Sequence, residues 1–126
     1  MSTLNVSNIS DGATSVGTGY VVNGSAKAWV NSDGKDPIAA RDSFNLSSLT
    51  DNGVGDYSVS WLNSMNNENY AILQSYEVST NNDTRSGHQI DSYAYSSSGY
   101  RILTSSSTQS AADFSYVWTA ILGDLA

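Results

Sequence analysis

The feature that most constrains this chain is a period of two. Polar and apolar residues alternate along several short runs, and turn-forming residues fence each run. Ser43–Met65, SFNLSSLTDNGVGDYSVSWLNSM, reads as strand, tight turn, strand. Within it Tyr57, Val59 and Trp61 face inward while Ser58 and Ser60 face out. AKAWV (Ala26–Val30) places Ala26, Ala28 and Val30 opposite Lys27 and Trp29. NYAILQSYEV (Asn69–Val78) puts Tyr70, Ile72, Tyr76 and Val78 on one face, with Gln74 interrupting it. GYRILT (Gly99–Thr104) sets Tyr100, Ile102 and Thr104 against Arg101 and Leu103. In the last run, Asp113–Leu122, one face carries Phe114, Tyr116, Trp118, Ala120 and Leu122. The other carries Ser115, Val117, Thr119 and Ile121. FSYVWTAIL within that run reads as strand and not helix, because it is rich in β-branched and aromatic residues. Turns are expected at Asn31–Pro37, Thr50–Asp56, Asn63–Asn69, Ser79–Gly87 and Ser96–Tyr100, with Asn52–Gly53 as a type I′ hairpin signal. The pattern predicts an all-β fold, an antiparallel β-sandwich or barrel-like domain over residues 19–126. Residues 1–18 hold few large apolar side chains and read as an N-terminal docking arm, with a short strand around Leu4 and Val6.

These strands carry little charge. Asp, Glu, Lys and Arg make up 13% of the 126 residues, about half the share usual in soluble domains. Solvent-facing strands ordinarily use Lys and Glu to keep sheet edges apart. Here Ser, Thr and Asn fill those positions. Their short side chains lose little rotamer entropy on packing and hydrogen-bond readily to neighbours. Such a surface suits burial against identical copies, so the expected partner is the chain itself, as a homotrimer. A net charge of −7 opposes binding to nucleic acid and to anionic membranes. The absence of cysteine rules out disulfides, thiol catalysis and Cys-ligated zinc. MSTLNVSNIS lacks the basic and apolar regions of a secretion signal, and no segment reaches the ~20 apolar residues of a membrane span.

GSAKAWVN (Gly24–Asn31) followed by RDSFNLSSLTDNGVGDYSV (Arg41–Val59) resembles a module of bacteriophage virion proteins, chiefly tail-fibre and appendage proteins of marine and cyanobacterial phages. The STLNVSNI start, YVVNGSAKAWV, Met65 and the Asn69–Tyr70 pair extend the likeness over roughly Met1–Tyr76. At Ser32–Pro37 the chain departs from it: SDGKDP replaces a Phe and a Gly–Thr turn. The resemblance implies a non-enzymatic structural protein of the virion, assembled in the host cytoplasm. Its expected partners are other virion proteins and a host-surface glycan. The short length and the initial Met, without the adaptor and shaft of a complete fibre, favour a capsid decoration protein as the alternative. A carbohydrate-binding module is a third reading.

Candidate chemistry is sparse. His88, with Ser86 or Ser92 and Asp91, lacks any nucleophile-elbow pattern, and a triad is a geometry and not a spacing. The acidic turns NSDGKD (Asn31–Asp36) and DNGVGD (Asp51–Asp56) supply oxygens but no EF-hand pattern, so turn chemistry explains them. No cofactor or metal is expected. The best surface candidates are Tyr93 and Tyr95, which share one strand face at i and i+2, and Tyr100. With Asn81, Asn82 and Arg85 from the neighbouring loop they would form a patch suited to stacking on sugar rings.

Overall fold

The structure, a computed structural model, describes residues 1–35, 37–77, 89–106 and 108–126, with the side chains of 89–92 outside the description. The strands are β1 (Asn8–Ser10), β2 (Ser15–Gly17), β3 (Ala28–Asp33), β4 (Ala39–Phe44), β5 (Leu46–Gly53), β6 (Asp56–Trp61), β7 (Ala71–Tyr76), β8 (Gln89–Ser96), β9 (Gly99–Ser105) and β10 (Val117–Leu122). A short helix, α1, covers Thr18–Gly24. Among the described residues two four-stranded antiparallel sheets carry the fold, in the orders β4-β3-β10-β7 and β5-β6-β9-β8.

The sheets share one core. Ala28, Val30, Val117 and Ile121 enter it from the first sheet, and Tyr57, Val59, Trp61, Tyr100 and Ile102 from the second. Ile72, Tyr70 and Tyr76 pack against its margin. Each large side chain taken fully out of water stabilises the fold by about 1.5–3 kcal/mol, which makes this layer the main source of stability. The inward faces expected for YSVSW and GYRILT are the buried ones; of the AKAWV face Ala28 and Val30 are buried, while Ala26 precedes β3 and is exposed. Gln74 interrupts an apolar face for a reason: its Nε2 donates to the buried Tyr100 hydroxyl at 3.1 Å, and that hydroxyl also bonds Thr119 Oγ1.

Asn45 moves the chain from one sheet to the other. It stands between β4 and β5 at φ 57°, a left-handed conformation that asparagine tolerates better than most residues. Its side chain fixes the corner. Nδ2 donates to the carbonyls of Lys27 and Asn63, each at 3.0 Å, and Oδ1 accepts the Asn63 N–H at 2.7 Å. RDSFNLSSLT is therefore two strands in two sheets, broken at one residue.

The hairpin between β5 and β6 turns later than the Asn-Gly signal suggests. Gly53 pairs with Asp56, so Val54–Gly55 form the loop. Gly55 has φ +65° but Val54 is not in the positive region, which excludes the expected type I′ geometry. Asn52 instead reaches across to Ser58 Oγ at 2.8 Å. Two other boundaries move as well. β3 runs on through Asn31–Asp33, where a turn is expected, because β4 and β10 pair with it on both sides. β10 begins only at Val117, and residues 113–116 lead into it.

Gly55 closes a second knot. Its N–H donates to Asp113 Oδ1 at 2.6 Å, and its carbonyl accepts from Thr104 N at 2.8 Å. The buried Tyr57 hydroxyl lies 2.9 Å from the Gly34 carbonyl and 2.8 Å from the same Asp113 oxygen. Burial, reinforced by that carboxylate, raises the Tyr57 phenol well above its ordinary value.

Residues 1–24 form a small unit of their own. β1 and β2 pair as a ribbon whose bend is closed by Asp11, whose carboxylate accepts N–H bonds from Ala13 and Thr14. Those backbone bonds hold the Asp11 carboxyl below its usual value. Thr18 ties the ribbon's end back to Ser7 and Val6, and α1 follows without a side-chain cap and without a buried residue. The strand expected at Leu4 and Val6 lies instead at Asn8–Ser10.

Candidate functional site

The two sheets present very different outer faces. On the second sheet Ser58, Ser60 and Arg101 point outward, opposite the buried positions of β6 and β9. Arg101 pairs with Asp56 and lies 4.9 Å from the centre of the Tyr93 ring. Among the described residues that face carries the Ser58 and Ser60 hydroxyls, the Arg101–Asp56 pair, Tyr93 and Leu103.

The first sheet is the reverse. The inward positions of β10 are Val117, Thr119 and Ile121, so the richer aromatic face of this strand points out. Register lines the outward residues up in rows across the sheet. Phe44, Trp29, Ala120 and Leu73 form one row. Asp42, Asn31, Trp118 and Ser75 form the next. Phe44 is 55% exposed, Leu73 53% and Trp118 36%. Because Ala120 is small, it leaves a shallow groove of about 510 Å³ bordered by Trp29, Leu73 and Trp118. Asn31 Oδ1 is buried beneath this face without a hydrogen-bond partner.

A polar clamp bounds the face. Tyr116 stacks on Trp118 with ring centres 5.6 Å apart and planes 22° apart. The Arg41 guanidinium lies 3.9 Å above the Tyr116 ring, pairs with Asp33 at 2.7 Å and donates to the Ser115 carbonyl. A guanidinium flat on an aromatic ring, with its edge occupied by a carboxylate, is held in one orientation. Arg41 reaches this position because β4 bulges between Asp42 and Ala40.

The residues expected to form a sugar-stacking patch do not gather into one. Tyr100 is 3% exposed and belongs to the core, where burial pushes its phenol up to about 12. Tyr95 is exposed and stacks on Tyr100 at 6.4 Å. Tyr93 lies under Arg101 on the outer side. The two tyrosines part because Ala94, at φ 54°, breaks the alternation between them. Asn81, Asn82, Arg85 and His88 lie outside the described residues, as do Val78 and Asp36. Among the described residues no group of three or more His, Cys, Asp or Glu side chains is placed to hold a metal ion. The signal for the aromatic face was the alternation of Asp113–Leu122 itself, which offered two apolar faces without deciding between them. The β-branched one won the core because Val117, Thr119 and Ile121 pack flat against Val30 and its neighbours on a pleated sheet.

The N-terminal unit is a second apolar surface. Leu4, Val21 and Val22 are exposed, and Tyr20 is 79% exposed. No protein-family model, curated protein or solved structure matches this chain.

Proposed function

We propose that this chain is a structural module of a bacteriophage particle, of the tail-fibre or appendage kind, which assembles as a homotrimer and acts by binding and not by turnover. The observation that carries the reading is the placement of large apolar side chains on the outside of the fold. Surface patches of that kind mark contact sites in proteins that must stay soluble. One such surface covers a sheet face; the other is the N-terminal unit, whose hydrogen bonds close within itself and which is thereby free to grip another virion component. The likeness of Gly24–Asn31 and Arg41–Val59 to phage appendage modules supports the same reading.

The test is location on the particle. Antibody-gold labelling of purified virions should mark the tail or its appendages. Labelling over the head would make the protein a capsid decoration protein, and unlabelled particles would refute the virion role. A chain lacking Met1–Thr18 should fold, with an unchanged far-ultraviolet spectrum, yet fail to join the particle. Normal incorporation would refute the docking arm.

A further inference from the structure

We infer that Asn23–Gly24 is a self-modifying site. The Asn23 side chain closes on the Gly24 backbone nitrogen, loses ammonia and opens in water to aspartate or isoaspartate, and the product undoes α1. The inference goes beyond the virion reading and does not depend on it.

The chain holds two Asn-Gly pairs, Asn23–Gly24 and Asn52–Gly53. Glycine makes such a pair reactive. Without a β-carbon its nitrogen is open to the preceding side chain, and its backbone turns freely. Both asparagines are exposed, so water reaches both. The two differ in how firmly they are held.

Asn52 is tied at each reacting group. Its Nδ2 donates to Ser58 Oγ at 2.8 Å and to Asp56 Oδ1 at 3.4 Å. The Gly53 N–H donates to Asp51 Oδ1 at 2.8 Å. The turn that follows is anchored through Gly55 to Asp113 and Thr104. Swinging the Asn52 side chain onto the Gly53 nitrogen means giving up the bonds that draw it across to β6.

Asn23 is held only by the helix it belongs to. Its side chain makes no hydrogen bond among the described residues. The Gly24 N–H is occupied by helical bonding only while α1 stands. That helix is weak by every local measure. Its seven residues fall well short of the ~12–15 at which an isolated helix is marginal in water. TGYVVNG contains two glycines and three β-branched residues, and no strong helix former. No side chain caps it and none of its residues is buried. Opening α1 therefore disturbs no core contact, and it frees both reacting groups together.

The chemistry needs only water. The Gly24 nitrogen gives up its proton and attacks Asn23 Cγ. The new N–C bond forms, the Cγ–Nδ2 bond breaks, and Nδ2 takes up a proton and leaves as ammonia. Water then adds to one carbonyl of the cyclic imide. Attack at Cγ gives aspartate, and attack at the main-chain carbonyl gives isoaspartate. Either product places a carboxylate in the last turn of α1, at the negative end of the helix dipole. Isoaspartate also adds a carbon to the main chain, which spoils the spacing of the helical bonds. Loss of ammonia makes the change one-way.

Ageing the purified protein in mildly alkaline buffer tests this, with peptide mapping by electron-transfer mass spectrometry to distinguish asparagine, aspartate and isoaspartate at both positions. In the folded protein Asn23 should convert at least ~10-fold faster than Asn52, and in urea the two rates should be similar. Equal rates in the folded protein, a faster Asn52 or an unchanged Asn23 would overturn the inference. So would a gap as large in urea as in buffer, because sequence and not structure would then set it. Gly24→Ala tests the route. A β-carbon at Gly24 meets no atom within 4 Å, and the backbone there lies outside the left-handed region. That variant should fold as wild type and convert at Asn23 at least ~10-fold more slowly; an unchanged rate would overturn attack by this nitrogen. In the aged wild type the Cα chemical shifts of Thr18–Gly24 should move from helical toward coil values while those of β6 and β9 stay fixed. Unmoved shifts in α1 after conversion would overturn the consequence drawn for it.

Discussion

Replacing Tyr57 with phenylalanine removes one oxygen from the knot at Gly34 and Asp113 and leaves the ring in place. The hydroxyl donates toward the Gly34 carbonyl and Asp113 Oδ1, both within 2.9 Å. A hydrogen bond to a charged group contributes about 1.5–3 kcal/mol. Tyr57→Phe should therefore cost about 2 kcal/mol at pH 7. For a domain of this size that is a fall of roughly 8 °C in Tm. The effect also has a pH signature. The folded Tyr57 phenol titrates above the unfolded one, so its contribution is complete below pH ~10 and is lost as pH rises through the folded value. Phenylalanine has no such contribution to lose. Paired urea titrations at pH 7, 9, 10 and 11 should show the gap between wild type and variant hold constant to about pH 10 and narrow above it. Both proteins keep Tyr100, so its own loss above pH ~10 cancels in the difference. A gap below about 0.5 kcal/mol at pH 7, or one that widens with alkali, would show that the hydroxyl is not bonded as described.

Other perturbations probe other joints. Asn45→Ala places a β-carbon at φ 57° and strands three bonded groups, so chemical denaturation should show a loss of about 2–3 kcal/mol. Asn45→Gly should lose less, because glycine accepts that backbone. A β-carbon on Gly55 would fall 2.3 Å from the Thr104 carbonyl oxygen, so Gly55→Ala should lower stability by at least about 2 kcal/mol, measured by thermal melting. Trp61→Ala opens the core beside Tyr100 and should cost about 3–5 kcal/mol; a cooperative melt near the wild-type temperature would contradict its place there.

The alternation of Tyr57–Trp61 and Gly99–Thr104 made the central strands and their inward faces legible, since each strand needs only its own pattern to declare a face. β4 was not read, and β8 was read only at Tyr93 and Tyr95. β4 is almost wholly exposed, and its outward row of Phe44 and Asp42 has no burial to advertise it. The corner at Asn45 is a single residue inside a continuous run, and nothing but asparagine's tolerance for positive φ points to it. The aromatic face was hidden in a strand with two apolar faces. Only the partners of β10, named by long-range pairing, decide which face turns out. The tyrosine patch failed for the opposite reason: i and i+2 share a face only while the strand stays regular, and Ala94 ends that.

The central claim is that the outward aromatic sheet is covered by copies of the same chain. Sedimentation equilibrium of the purified protein measures this directly. Three chains of 13.4 kDa predict a species of about 40 kDa at micromolar concentration, and Trp118→Ser should reduce it to a folded monomer. A wild-type protein that sediments as a 13.4 kDa monomer at every concentration would contradict the account.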